Sequence, residues 1–496
     1  MKTTIRGVSL NVDDDTSQLL DRLMRKYGYM YRYAFQRLQE AGIKISILER
    51  MLSTETNLPL RYAKDAVAEA NQLIFAQKAF VKEHLALWQR RKKKTTERIN
   101  EITKKDPNSR KLHGLRQKFE KQQRKVAFYQ QHLDDDTFPT VIFGSRELFM
   151  AQFKEGSDKQ AWRTKWNDSR NGRLSARGDR AKKGNPLLRI SEQGNNWQLE
   201  ISLDTFRDAG NRIRYDKLRI PLYVARKVSK VTGSINGRDY VALLRKAIQN
   251  GDPYHVEILR RNGVYHVHIT VEEAQAPLLT YPINGWVGMD INPTLLALCH
   301  IHPDGNPMAF RNVTEGQLYD ARSNRRDWLI GNMAKEVITF AKERGTGLVV
   351  EDLKFMNDKE TSRKFRRITH QFVYRKVLET VERRAEREGV EIRKVHPAYT
   401  SVIGRLKYQP QFGISVHSSA ALVIARRGGL KIKRENVPKA LREWLLTKQR
   451  FNEQAYRKSD WNIWSQAKKV IEKTLQEKGG SLVSWLGERK ELLLLR

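Results

Sequence analysis

Val287-Gly288-Met289-Asp290-Ile291-Asn292 is the stretch on which the reading of the fold turns. An apolar run ends in one carboxylate, as a buried strand does where it opens toward solvent. Gly347-Leu348-Val349-Val350-Glu351, further along, does the same. Between the two lie an apolar strand from Leu295 to Ile301, the turn Pro303-Asp304-Gly305-Asn306, a third strand near Met308 to Phe310, and an amphipathic helix over Leu318 to Arg344. After Glu351 the spacing predicts a helix from about Lys364 to Glu388, a strand from Val390 to Val395, and a helix beginning near Val416. Three strands in a meander, followed by strands alternating with helices, make an α/β layout. Functional groups gather at strand ends in such sheets, because the loops there open the backbone to ligands. Asp290 and Glu351 are therefore the candidate pair. Carboxylates suit Mg²⁺, and two such ions held together activate a water and stabilise the leaving oxygen of a phosphodiester. Acids at strand ends are also common in sheets with no chemistry at all, so spacing leaves both readings open.

The remaining composition says what such a site would meet. The chain has 496 residues, with 93 Lys and Arg against 56 Asp and Glu, a formal charge of +37. That excess strains a compact fold unless a polyanion relieves it, and nucleic acid is the obvious one. A ribosomal or histone-like binder is the plain alternative, though such proteins are usually shorter. Ten Trp, 17 Tyr and 17 Phe argue against a disordered chain. Cys299 is the one cysteine, so no intrachain disulfide is possible. Met1 to Val12 lacks the apolar run of a signal peptide, and no apolar stretch approaches the ~20 residues that span a bilayer. The expectation is a cytoplasmic, nucleoid-associated protein with no membrane partner; the pattern specifies no oligomeric state.

Upstream, a strand carrying Ile5, Val8, Leu10 and Val12 leads through Asp13-Asp14-Asp15 into a helix, with Ser17 as its expected cap. A second helix carries Ala63, Val67, Ala70, Ile74, Val81, Leu85 and Trp88 on one face and runs into Arg90-Arg91-Lys92-Lys93-Lys94. A third spans about Ser109 to Leu133. From about Thr140 the period changes to two, with Trp197, Leu199, Ile201 and Leu203 alternating, and Asn262-Gly263 joins two alternating runs as a hairpin turn. Between Lys159 and Lys183, Arg163, Lys165, Arg170, Arg173, Arg177, Arg180, Lys182 and Lys183 meet only Asp168 and Asp179, with Trp162 and Trp166 interleaved. These residues, with Arg90, Arg91, Lys92, Lys93, Arg405 and Lys407, are candidate phosphate contacts. A solvated helix face, and tryptophans in a core, are the simpler readings of each run taken alone.

Four segments carry a family resemblance. Gly288-Met289-Asp290-Ile291-Asn292 resembles the first motif of the RuvC-type nuclease domain, and Val349-Val350-Glu351-Asp352-Leu353 its second. His396-Pro397-Ala398-Tyr399-Thr400-Ser401 resembles the segment after the fifth strand in TnpB, the transposon-encoded ancestor of type V CRISPR effectors. Val416-His417-Ser418-Ser419-Ala420-Ala421-Leu422-Val423-Ile424 is similar to that family's third motif, Asp-x-Asn-Ala-Ala-x-Asn-Ile. The resemblance implies a multidomain α+β chain. A β-barrel (1–13 and 137–281) would be interrupted by a helical recognition lobe (14–136), then an RNase H-like (RuvC) α/β domain (282–430) and a basic helical extension (431–496). It further implies a bacterial RNA-guided DNA endonuclease with guide RNA and target DNA as partners, and a two-metal Mg or Mn site on Asp290 and Glu351.

Two departures bear on activity. His417 stands where the family has its third catalytic Asp, and Ser419 and Val423 replace both Asn. With a neutral imidazole the site carries about −2 instead of −3; His417 then serves as ligand, as proton acceptor, or only in the helix. A carboxylate elsewhere, for instance Asp352 or Glu391, is the other way to complete the set, though strand alternation turns Asp352 away from Glu351. The family's Cys₄ zinc ribbon is also missing: Val402 to Val416 holds no Cys, a connection with Arg405, Lys407 and Tyr408 replaces it, and no zinc is expected. The alternatives are a nuclease-inactive RNA-guided DNA binder acting as repressor or recruitment factor, a DNA-strand transferase, and a basic RNA-binding protein with an inert α/β domain.

Overall fold

The computed structural model describes residues 2–9, 12–40, 42–153, 156, 158–194, 196–226, 238–292, 295–318, 321–353, 371–430, 435–446 and 461–469. Leu10 of the expected first strand, the start of the helix placed at Lys364, and Trp485 lie outside them. The chain divides into two compact units, Lys2–Glu273 and Ala274–Arg496.

The first unit mixes helices with a curled antiparallel sheet. Strand β1 (Lys2–Ser9) precedes four helices, α1 (Asp14–Arg37), α2 (Ile45–Thr56), α3 (Leu60–Lys105) and α4 (Lys111–Asp134). Helices α5 (Arg146–Ala151) and α6 (Lys159–Asn171) follow, then β2 (Arg173–Ala176), β3 (Leu188–Gln193), β4 (Asn196–Arg207), β5 (Ile213–Val224), α7 (Tyr240–Asn250), β6 (Tyr254–Arg261) and β7 (Val264–Glu272). The sheet order is β2-β6-β7-β1-β5-β4-β3. The first strand in the chain thus sits in the middle, with Ile5 opposite Ile269 and Gly7 opposite Val224. Alternate residues such as Val256, Ile258, Val267 and Ile269 enter a core shared with Leu20, Met24, Tyr27 and Tyr62 of the helices. Asn262 and Gly263 both take positive φ, 50° and 77°, as a two-residue hairpin with the strands' twist requires.

The structure corrects several expectations here. The α1 cap is Asp13, whose carboxylate accepts from the Thr16 N–H at 2.7 Å; Ser17 meets the Tyr265 hydroxyl instead. Helix α2 was not legible, because Ile45, Ile47 and Met51 are exposed and break its stripe. Arg146–Ala151 and Lys159–Asn171 are helical, not part of the strand pattern, and α7 interrupts that pattern again. Helix α3 runs 46 residues, about 70 Å. Beyond Ile74 it buries only Val81, Leu85 and Thr95, so packing against α4 leaves most of its basic surface in water.

The second unit holds a five-stranded sheet of order β10-β9-β8-β11-β12. Strands β8 (Trp286–Ile291), β9 (Leu295–Ile301) and β10 (Pro307–Thr314) form an antiparallel meander. Helix α8 (Ser323–Lys342) leads to β11 (Gly347–Glu351), which pairs in parallel with β8 and with β12 (Ile392–Val395). Helices α8 and α9 (Gln371–Glu388) cover one face, packing on Val287, Met289, Leu348 and Val350. Helix α10 (Val416–Gly429) covers the other, packing on Trp286 and Val349. Pro282–Asn284 is a turn of 3₁₀ helix leading into β8.

Gly288 sets how closely α10 approaches. A Cβ there would stand 2.1 Å from the Ala421 carbonyl oxygen and 2.5 Å from the Ala425 nitrogen. Small residues on both sides therefore let the helix backbone lie against β8. Short helices α11 (Lys439–Leu446) and α12 (461–469) add Leu441, Ile463, Trp464 and Ala467 to the same core. Most of the remaining basic extension lies outside the described residues.

Candidate active site

Strand alternation aims the site. Residues 286, 288 and 290 of β8 share a face, as do 349 and 351 of β11, and α10 packs on that face. The parallel register pairs Gly347 with Trp286, Leu348 with Val287 and Val349 with Gly288. Continued by two residues, it sets Glu351 beside Asp290, on strands about 4.8 Å apart. The approach permitted by Gly288 then brings His417, in the first turn of α10, to Asp290: Nδ1 to Oδ2 is 3.3 Å. Ser415 caps this helix, accepting from the Ser418 N–H at 3.0 Å.

Each carboxylate has further partners. Asn292 Nδ2 donates to Asp290 Oδ2 at 2.7 Å, and Asp290 is 8% exposed. Thr400 Oγ1 donates to Glu351 Oε1 at 2.5 Å. Burial pushes the Glu351 carboxyl up to about 7; the Thr400 hydroxyl pulls it back, the Asp290 charge pushes it further, and the Arg427 guanidinium opposes. Arg427, buried on α10, donates to the carbonyls of His396 (2.6 Å) and Ala398 (2.8 Å) and so fixes the loop that presents Thr400. Neither Thr400 nor Arg427 was legible as a site residue, since both act through contacts between distant segments. Asn292 shares the face of Asp290 two residues on, a period-two signal that was there to be read.

The two other acids considered for this site stand elsewhere. Asp352 follows Glu351 out of the strand and is exposed. Glu391 precedes β12 at the opposite end of the sheet, where its carboxylate accepts from Arg393 Nε at 2.9 Å. Among the described residues no three His, Cys, Asp or Glu side chains converge as a ready-made metal cage. Mg²⁺ does not need one, because it usually takes one or two carboxylates and completes its shell with waters and substrate phosphates. Two adjacent carboxylates, one of them driven toward its neutral form by burial, are short of positive charge; that donor set fits a hard divalent cation.

The basic candidates separate into two groups. Arg163, Lys165 and Arg170 are exposed on α6, and Arg180, Lys182 and Lys183 on the turn after β2. On α3, Lys93 is exposed; Arg91 lies over the Trp88 ring at 4.9 Å, Lys92 over Phe119 at 5.3 Å, and Arg90 stands beside them in the sequence. By contrast Arg173 is held by Glu69 (2.8 Å) and Glu257 (2.5 Å), and Arg177 by Asp65 (2.8 Å). Lys407 is held by Glu435 (3.0 Å), while Arg405 is half-buried with its Nε unpartnered. Intramolecular carboxylates already balance Arg173, Arg177 and Lys407.

The model of one protein family, the SSO2105 N-terminal domain, matches residues 2–282, more than half of the chain. The chain belongs to that family. The SSO2105 N-terminal domain match covers the curled sheet with its helices and stops just short of β8. No curated protein matches the chain. Among solved structures, T. thermophilus RuvC in complex with a Holliday junction substrate is 18% identical with a TM-score of 0.22, covering 28% of this chain and 89% of its own. A CRISPR-Cas12f ternary complex is 14% identical with a TM-score of 0.26, covering 83% and 82%. A Cas12i1 R-loop complex before target DNA cleavage is 8% identical with a TM-score of 0.25, covering 92% and 78%. Likenesses this faint establish neither a shared fold nor a shared activity. No helix among the described residues is long and apolar enough to cross a membrane.

Proposed function

We propose that the protein is an RNA-guided DNA endonuclease of the TnpB type, hydrolysing phosphodiesters with Mg²⁺ or Mn²⁺ at Asp290 and Glu351. The observation that carries the reading is the parallel pairing of β8 with β11, whose register brings buried Asp290 and half-buried Glu351 to the same sheet end, with His417 on Asp290. The sheet order, an antiparallel meander continued by two parallel strands, is the one expected of an RNase H-like domain, and the charge of +37 suits guide RNA and target DNA. Asp290 and Glu351 would hold the ions, which when bound activate the attacking water and stabilise the leaving oxygen. Asn292 orients Asp290, Thr400 orients Glu351, and Arg427 braces the loop that carries Thr400. His417 is placed to act on Asp290 or to take a proton from water. The test is cleavage of target DNA by the purified ribonucleoprotein with Mg²⁺ or Mn²⁺: the wild type cuts and Asp290→Ala does not. Equal cutting by both would remove the assignment.

One observation favours a second reading, a nuclease-silent RNA-guided DNA binder. His417 Nδ1 stands 3.3 Å from Asp290 Oδ2, where the family has a third carboxylate, and so offers an imidazole in place of a negative charge. His417→Asp separates the two readings, since cleavage seen only in that variant makes the natural protein a binder.

A further inference from the structure

Helices α5 and α6 carry aromatic side chains that the core does not use. Neither helix has a buried residue. Met150 is 53% and Phe153 67% exposed. Trp162 and Trp166 stack, with centroids 5.7 Å apart and planes at 16°, and Phe149 leans on Trp166 at 6.0 Å. The rings are held rather than loose. Trp162 Nε1 donates to the Leu148 carbonyl at 2.7 Å, and at Gly144, with φ 102°, a Cβ would stand only 3.3 Å from the Trp166 ring. Apolar side chains left outside a core in one contiguous group mark a surface that receives something.

Cations share the stripe. On a helix, positions three and four apart are neighbours, so Lys159, Arg163 and Arg170 alternate with Trp162 and Trp166 along one face. Arg170 lies over the Trp166 ring at 5.4 Å. On α6 Asp158 caps the helix and Asp168 takes Arg260 at 3.3 Å, while Glu147 on α5 is an exposed acid that the cations of α6 outnumber. Lys159, Arg163 and Lys165 are exposed with no acid partner among the described residues. Phosphates alone would not need the rings, and an apolar protein surface would not need the cations. A ligand that alternates flat rings with anionic links fits both, provided its ring faces are open, which a duplex does not offer.

We infer that α5 and α6 form a stacking platform for the unpaired bases of a single-stranded nucleic acid, separate from the metal-binding carboxylates. The test uses the full chain in EDTA, so that cleavage is not read and failure of the nuclease proposal leaves it standing. Fluorescence anisotropy compares an oligothymidylate, an abasic strand of the same length, and a duplex. The wild type prefers the base-bearing strand to the abasic one by about tenfold or more. Trp162→Ala/Trp166→Ala abolishes that preference while binding the abasic strand and duplex as before. Arg163→Gln/Lys165→Gln weakens all three and flattens the salt dependence by about 1–2 in log–log slope. Phe153→Ala, at a position 67% exposed, reduces the preference about threefold, and decides the matter if the tryptophan pair fails to fold. Equal wild-type affinity for base-bearing and abasic strands, or aromatic variants that keep the preference, would overturn the platform and assign the patch to a protein partner.

Discussion

In the second unit a buried glutamate, Glu435, and a half-buried one, Glu351, have surroundings that differ in kind. Glu435, 2% exposed, accepts from Lys407 Nζ (3.0 Å), the Tyr408 hydroxyl (2.8 Å) and Arg426 Nε (3.1 Å), and its own carbonyl accepts from Trp464 Nε1. Burial pushes that carboxyl up, yet the Lys407 ammonium and the other donors hold it below the usual range. Glu351 has one hydroxyl, a like-charged neighbour and a guanidinium that is committed to backbone carbonyls. Burial therefore wins, and its pKa rises to about 7. A carboxylate that the chain satisfies is structural; one left beside another acid with its pKa raised is a candidate for function.

The comparison breaks most readily at Glu435. Glu435→Ala leaves Lys407 and Arg426 without their buried partner and should destabilise the fold by about 3–5 kcal/mol, read by urea unfolding at pH 7. Its stability is present above the unfolded carboxyl pKa and fades as acid protonates the folded form, so the wild type and variant converge at low pH. A difference that grew as the pH fell would contradict the pairing.

Glu351 has the opposite sign. Its folded pKa exceeds the unfolded 4.5, so its contribution is fully present below 4.5 and is lost as the pH rises through about 7. In EDTA, Glu351→Gln should stabilise the chain by up to about 3 kcal/mol at pH 8 and hardly at all at pH 4. A variant less stable than wild type at pH 8 would mean that the carboxylate is satisfied after all.

A smaller effect sharpens the contrast within the site itself. Thr400→Val removes the hydroxyl on Glu351 and should lower cleavage or Mn²⁺ affinity by about 10–100-fold, with Thr400→Ser restoring most of it. Loss of folding in both variants would make Thr400 a packing residue instead.

How much of this was readable in the chain follows from the range of each interaction. Alternation along Val287–Asp290 and Val349–Glu351 needs only neighbours, and the sheet keeps those faces. Asn262-Gly263 likewise encodes its turn locally. The helices α5 and α6 did not announce themselves, because they bury no residue and their few aromatic positions stand among charged ones. Thr400 and Arg427 join segments that meet only when α10 packs on Gly288, and no local pattern reports that. The balancing of Arg173 by Glu69 and Glu257 is equally tertiary; in sequence it is one more cation in a basic run.

The central claim is that Asp290 and Glu351 together hold a divalent ion. Calorimetric titration of Mn²⁺ into the full chain at pH 7 measures this directly. The wild type should bind with proton release, since Glu351 is partly protonated there, while Asp290→Ala and Glu351→Gln each lose the site. Binding of equal strength and proton count in all three proteins would contradict it.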